Sequence, residues 1–182
     1  TSNSTDEPSQ RWSCLKVLAG EDFITQSEAG LDDDDHGTHV SGIAAGSGSI
    51  TGVAPGATLL SAKVLGSGGR GSESNVVDGI DWCTSQREAH NVSVITMSLG
   101  TYGTTNDTCT GDPMAQAIGR ARDAGIFVSV ASGNSYDSRG VSYPACAPKA
   151  AAVGAVDSRD TVADFSNAWN RSLLLAPGVR VL

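Results

Sequence analysis

The sequence predicts an α/β protein: three layers, with helices covering both faces of a mainly parallel central sheet. Two observations predict it. Short apolar runs rich in Val, Ile, Leu and Ala recur along the chain, and helical patterns of about a dozen residues separate them. Strands that alternate with helices return to the sheet in the same direction, so they pair in parallel. The length of 182 residues gives such a sheet enough chain to bury a core.

The elements follow in order. Residues 1–13 are polar and read as a loop, with the core starting near residue 14. Residues 59–65 are mostly apolar and read as a buried strand that ends in Gly66-Ser67-Gly68-Gly69-Arg70-Gly71. Residues 74–87 show helical spacing through Val77, Ile80, Asp81 and Trp82, and residues 92–97 read as the next strand. Residues 113–124 form a helix opened by Asp112-Pro113 and stopped by Gly125. Residues 126–131 and 151–156 are two further strands, and 173–175 begin another. There are no internal repeats. In such a sheet, ligands bind beyond the carboxyl ends of the strands. Ser98-Leu99-Gly100 and Ser132-Gly133-Asn134, each following a strand, are therefore candidate binding segments, although Gly and Ser are also ordinary turn formers.

Composition removes several functions. Lys and Arg number 12 against 20 Asp and Glu, a net charge of -8 with no basic stripe, which argues against a nucleic-acid partner. No apolar run approaches the roughly 18 residues of a spanning helix, so no membrane partner is expected. Four cysteines are too few for a fold built on disulfides. No apolar segment of a signal peptide is present.

The sharpest local signal is Asp32-Asp33-Asp34-Asp35-His36-Gly37-Thr38-His39-Val40-Ser41-Gly42. Its two histidines lie three apart, whereas metalloprotease helices space them four apart with a Glu as base. A catalytic histidine opening a helix fits better. The small residues after it would let that helix pass close to backbone inside the core, with His39 a structural histidine held by hydrogen bonds. The four aspartates favour an imidazolium electrostatically, or simply form a solvated loop at a helix N-terminus.

His36-Gly37-Thr38-His39-Val40-Ser41-Gly42 resembles the catalytic-histidine motif of the subtilisin-like serine proteases, the subtilases. Gly52-Val53-Ala54-Pro55-Gly56-Ala57 resembles the segment leading into their next strand. Val94-Ile95-Thr96-Met97-Ser98-Leu99-Gly100 resembles their strand and substrate-binding segment, and Ala131-Ser132-Gly133-Asn134 their oxyanion-hole motif. Val153-Gly154-Ala155-Val156-Asp157, Phe165-Ser166 and Ala176-Pro177-Gly178 resemble the stretch before the nucleophile. The resemblance implies a subtilisin-like fold truncated at both ends and a serine endopeptidase of Ser-His-Asp type. It implies that His36 is the general base and acid, and that Asn134 donates to the oxyanion. Ser98, Leu99 and Gly100 would form one wall of the primary specificity pocket, and Ser132 and Gly133 the other. Gly66, Ser67 and Gly68 would border further subsites, with the substrate backbone added as a strand. Glycines would keep the slot wide, and a large apolar side chain before the scissile bond is expected.

Two catalytic parts are not found. No serine sits in the family's Gly-Thr-Ser nucleophile motif. Asp6 lies at nearly the right distance before His36, but Glu7-Pro8 follows it where the family has Ser/Thr-Gly, and the aspartate is expected upstream of Thr1. The expectation is a partial catalytic domain, inactive alone. The alternative is a catalytically inactive subtilase-like domain that binds protein. The resemblance further implies polypeptide substrates, an N-terminal inhibitory propeptide in the full-length protein, secretion, a monomer, and no cofactor in the chemistry. Structural Ca²⁺ is common in the family. Residues 32–35 offer carboxylates, but Gly46-Ser47-Gly48-Ser49-Ile50-Thr51, where the family has a calcium loop, is short and lacks Asn or Asp. Cys14, Cys83, Cys109 and Cys146 allow three pairings; Cys109 with Cys146, both in loops after strands, is the first choice, and Cys83 reads as buried. Glycosylation sequons start at Asn3, Asn91, Asn106 and Asn170.

Overall fold

The first strand, β1 (Val17–Asp22), is hidden in the sequence by its own composition, because Gly20, Glu21 and Asp22 interrupt its apolar run. The computed structural model describes residues 16–26, 30–168 and 173–181, and the chain divides into two units, residues 1–69 and 70–182.

In the first unit β1 pairs in parallel with β2 (Leu59–Lys63), with Asp22 opposite Lys63. Between them in sequence runs α1 (His36–Ala45). A two-stranded pair has little stability of its own. Lys16, just before β1, helps to tie the unit together: its Nζ donates to Ala45 O at 2.9 Å and to Pro55 O. The first of these acceptors is an orphan carbonyl of the last turn of α1. Gly52 presses on that turn too, since a Cβ there would lie 2.7 Å from Ala45 N and Gly42 O. The sequence predicts small residues along the whole helix serving a close approach inside the core. Instead Ala45 is the one buried residue of α1, and a Cβ at Gly42 would meet nothing within 4 Å. Close packing is confined to the C-terminal turn.

The second unit contains α2 (Glu73–Ser85), α3 (Arg87–His90), β3 (Val94–Met97), α4 (Pro113–Asp123), β4 (Phe127–Ala131), β5 (Ala151–Val156) and β6 (Leu173–Pro177). The four strands form one parallel sheet in the order β3-β4-β5-β6. The expected parallel α/β architecture is present, with the described strands divided between a pair and a foursome. Side chains alternate across the sheet. Ile95, Met97, Val128, Val130, Ala152 and Val156 are buried. α4 packs on β4 and α2 on α4, contributing Met114, Ala117, Ile118, Ala121, Val76 and Ile80 to the core. Ser72 caps α2, its Oγ accepting from Asn75 N at 3.2 Å. A bidentate pair joins the two helices, Arg120 Nη2 lying 2.7 Å from Asp81 Oδ2 and Nε 3.0 Å from Oδ1. The alternate positions are more open: Val94 is 56%, Phe127 39% and Leu174 51% exposed.

Cys109 and Cys146 are joined, with a Cα–Cα distance of 5.4 Å across 37 residues of sequence. Backbone bonds run beside the disulfide, Thr105 pairing with Val141 and Thr101 N donating to Tyr143 O at 2.9 Å. The loop after β3 is thereby fastened to the loop after β4. Cys83 is free and half-buried, and burial pushes its thiol up to about 11. Cys14 lies outside the described residues.

Closing a loop of this length removes conformational entropy from the unfolded chain, by roughly 4 kcal/mol in the chain-entropy account. Joint replacement of Cys109 and Cys146 by Ala should lower stability by an amount of this order. Urea unfolding of the oxidised protein and of the double variant measures it, and coincident midpoints would contradict it.

Candidate functional site

In the first unit the site residues gather around the entry to α1. His36 is the first residue of the helix and is exposed; Asp35 before it has a left-handed backbone, φ 64°. Asp35 makes no side-chain cap. Asp32 does that work from further back, its Oδ2 accepting from Thr38 N at 2.7 Å. A carboxylate there suits the free N–H groups and the dipole of the helix start. Asp33 Oδ2 meets Lys63 Nζ at 2.7 Å, and Lys63 lies 3.7 Å from Asp22 Oδ2. Asp34 Oδ1 accepts from Gly68 N at 2.9 Å. Gly69 N donates to Gly66 O at 3.0 Å, closing a turn over Gly66-Ser67-Gly68 that Asp34 then anchors.

The acidic run is therefore exposed, yet three of its carboxylates have separate and specific partners. They diverge to Thr38 N, Lys63 and Gly68 N, so they do not make the converging oxygen shell that Ca²⁺ takes. Among the described residues, no three His, Cys, Asp or Glu side chains gather where a metal could bind. The loop over residues 46–51 is closed by its own backbone, through a Ser47–Thr51 bridge. His39 departs from its expected role. It is exposed, and among the described residues no hydrogen bond holds its ring, because α1 buries only its far end. Among the described residues no carboxylate bonds to His36 either. Asp6 lies outside them.

Asp22 was not singled out in the sequence. It ends β1 with 5% exposure. Its Oδ1 accepts from Ile24 N at 2.8 Å and Thr25 N at 2.9 Å, and its Oδ2 from Thr25 Oγ1 at 2.8 Å. Burial pushes its pKa up, but the amide and hydroxyl of Thr25, the amide of Ile24 and the Lys63 charge together hold it below the ordinary value. Asp32 behaves likewise: burial raises it, and the hydroxyl and amide of Thr38 with the amides of Asp34 and Asp35 bring it below the ordinary value. Burial lowers Lys63, yet the Asp33 hydrogen bond foremost, with Asp22, keeps it above its ordinary value.

In the second unit the two expected pocket walls meet on Ser142, further along the loop after β4. Ser98 and Gly100 are exposed and Leu99 half-buried in the loop after β3. Ser132 is 1% exposed at the end of β4. Gly133 follows with φ +104°, where a Cβ would collide with Ser142 Oγ and Asn167 Nδ2 and lie 2.9 Å from Ser142 Cβ. Only Gly fits there. A Cβ on Gly100 would lie 3.3 Å from Ser142 Cβ. Ser142 thus comes close to both segments, and its N donates to Ser132 O at 2.8 Å while its Oγ donates to Gly103 O, three residues past Gly100, at 3.0 Å. Gly133 serves tight packing against Ser142 rather than the widening of a slot. Asn134 is exposed at the crest of this turn.

Sequence reasoning missed Ser142 and Asn167. Ser142 carries no local signal, since it joins the site only through the fold. Asn167 directly follows Phe165-Ser166, and its place beside that segment was the available hint. Asn91 and Asn106 are exposed; Asn3 and Asn170 lie outside the described residues.

The chain matches the profile of the Subtilase family over residues 14–181. It is 39% identical over 173 residues to Subtilisin DY of Bacillus licheniformis, covering 92% of this chain and 60% of that protein. It is 40% identical over 174 residues to Subtilisin E of Bacillus subtilis strain 168, covering 92% of this chain and 43% of that protein. Among solved structures, Sphericase superposes with a TM-score of 0.76 at 30% identity, covering 91% of this chain and 60% of that one. The chain thus spans between about two fifths and three fifths of the length of these relatives.

The carboxylates of Asp22 and Asp32 are held below their ordinary values. Their contribution to stability is therefore complete above the unfolded carboxyl pKa, near 4, and is lost as pH falls through the lower folded values. Asp22→Asn should melt below the wild type near neutral pH, and the gap should close on acidification below about pH 4. Thermal melts of both proteins across pH 3–7 test this; a gap that widens in acid would refute it.

Proposed function

The chain belongs to the subtilase family, and from that premise we propose that it is part of the catalytic domain of a secreted serine endopeptidase that hydrolyses peptide bonds by a Ser-His-Asp mechanism. The observation that carries this reading is the Ser132-Gly133-Asn134 turn, held so that an exposed amide side chain stands beyond the carboxyl end of β4. His36 at the start of α1, in the sequence His36-Gly37-Thr38-His39, supplies the matching base.

The chemistry follows from these groups. A serine hydroxyl attacks the scissile carbonyl carbon while His36 takes its proton. The carbonyl oxygen becomes an oxyanion, and the Asn134 amide donates to it. Collapse of the adduct breaks the C–N bond, and His36 returns the proton to the leaving amine. Water then attacks the acyl-enzyme along the same proton path, releasing the acid and regenerating the serine. A hydroxyl, an imidazole, a carboxylate and an amide complete the reaction, so no cofactor enters it. A structural Ca²⁺ would serve stability at a place other than residues 32–35.

Substrate is an extended polypeptide. Its backbone would pair with residues 98–100, and its side chain before the scissile bond would enter between residues 98–100 and 132–134; in the first unit Gly66-Ser67-Gly68 offers the same kind of extended pairing. Neither wall carries an ionisable side chain, which supports a preference for a large apolar residue. A propeptide occupying the same extended track before maturation is consistent with this mode of binding. The share of each relative that the chain covers, and the lack of a serine in the Gly-Thr-Ser motif, support placing the nucleophile outside residues 1–182. On this reading these residues alone do not hydrolyse peptides.

A fluorophosphonate probe should label one serine of the full-length polypeptide, and His36→Ala should abolish labelling. Residues 1–182 alone should not label. No labelling of the full-length polypeptide, or labelling of this segment, would sink the reading. In the active protein Asn134→Ala should reduce kcat far more than it raises KM. Removal of such a donor in a subtilisin costs about 10²–10³ in kcat, a magnitude that belongs to that enzyme.

A further inference from the structure

Asn167 is wholly buried, at 0% exposure, and every polar atom of its side chain is engaged. Its Oδ1 accepts from Ser135 N at 2.8 Å and Asp137 N at 3.3 Å. Its Nδ2 donates to Ser132 O at 3.1 Å and to Ser142 Oγ at 3.3 Å. The backbone of Asn167 adds two more bonds to this turn, its N donating to Gly133 O at 2.9 Å and its O accepting from Ser132 Oγ at 2.9 Å. These bonds grip Ser132, Gly133 and Ser135, the residues on either side of Asn134. Asn134 itself is exposed, so its place is set by neighbours that Asn167 holds.

We propose that Asn167 is a positioning residue for Asn134, fixing the backbone on both sides of it so that the exposed amide is presented in one orientation. The inference rests on the reading of Asn134 as the donor to the oxyanion. The chemistry of the site asks for an amide. The pocket offers two N–H donors on one side, and a carbonyl with a hydroxyl on the other, and a neutral carboxamide answers both sets at once. A carboxylate would keep the first set and turn an anion towards Ser132 O. An alanine would take the acceptor away from Ser135 N and Asp137 N, and would leave Ser132 O and Ser142 Oγ with only their bonds to Ser142 N and Gly103 O. A donor displaced by about an ångström loses rate on the order of a hundredfold, so a group that only holds the donor still governs turnover.

The test uses the full-length polypeptide with Asn167→Ala, Asn167→Ser, Asn134→Ala and the pair Asn134→Ala with Asn167→Ala. The serine variant keeps a polar group in the cavity should the alanine variant fail to fold. Asn167→Ala should lower kcat about tenfold or more with KM within about twofold, and Asn167→Ser should fall between it and the wild type. Once Asn134 is already alanine, replacing Asn167 should change kcat little, because the group it positions is gone. Amide exchange at Ser135 and Asp137 should quicken in the alanine variant while the amides of β4 and β5 keep their protection. Unchanged kcat in an active protein, or a loss that multiplies with that of Asn134→Ala, overturns the inference while the protease reading stands. Retained protection at Ser135 and Asp137 overturns it whatever the activity. A wild-type polypeptide that neither cleaves peptides nor takes the probe overturns the donor role of Asn134, and this inference with it.

Discussion

A single neutral side chain, carried by the loop before β6, holds the long loop after β4 at several places along its course. Asn167 reaches the turn after β4, the segment around Asp137 and the hydroxyl of Ser142. The loops at the carboxyl ends of parallel strands have no ladder to pair with, and their buried amides and carbonyls still need partners. Asn167 provides them without bringing a charge into the interior, where an unpaired charge would be costly. The left-handed Gly133 follows from the same packing, since Ser142 and Asn167 fill the space a side chain would need.

The smaller unit solves the same problem with charges at the surface. Asp32 meets the open start of α1, Asp33 the ammonium at the end of β2, and Asp34 the amide of Gly68. Each bond is exposed and of modest strength alone. Their value lies in spacing. Three successive residues point to a helix, a strand end and a turn, so a short run of sequence sets the relative position of all three. The deeper Asp22–Lys63 contact sits beneath this layer. It is well hydrogen-bonded, as a buried carboxylate must be.

Much of the fold was legible in the sequence because its strands are apolar runs and its helices carry clear stops. Pro113 and Gly125 bracket α4 within a residue, and α2 starts one residue before the range read from its spacing, at Glu73 behind the cap of Ser72. β1 was not legible, because half of it is Gly, Glu and Asp and its pairing with β2 comes from tertiary context. The site motifs were legible as short strings: His36 opens its helix and Ser132-Gly133-Asn134 follows its strand. What holds those strings was not legible. Ser142 and Asn167 lie 10 and 35 residues from Ser132, and no local pattern marks a residue whose partners are brought to it by folding. The acidic run was legible as charge but not as three separate bonds, because composition does not say where a carboxylate points.

The order of the larger sheet bears on how the chain is made. Its strands lie side by side in the sequence in which they are synthesised, β3-β4-β5-β6. Among the described strands each new one finds its neighbour already present, and none has to be inserted between two earlier ones. A ribosome can thus extend this sheet at one growing edge. The turn bearing Asn134 is laid down with β4, before Asn167 is made, so the bonds that Asn167 gives it form only once the chain beyond β5 is present.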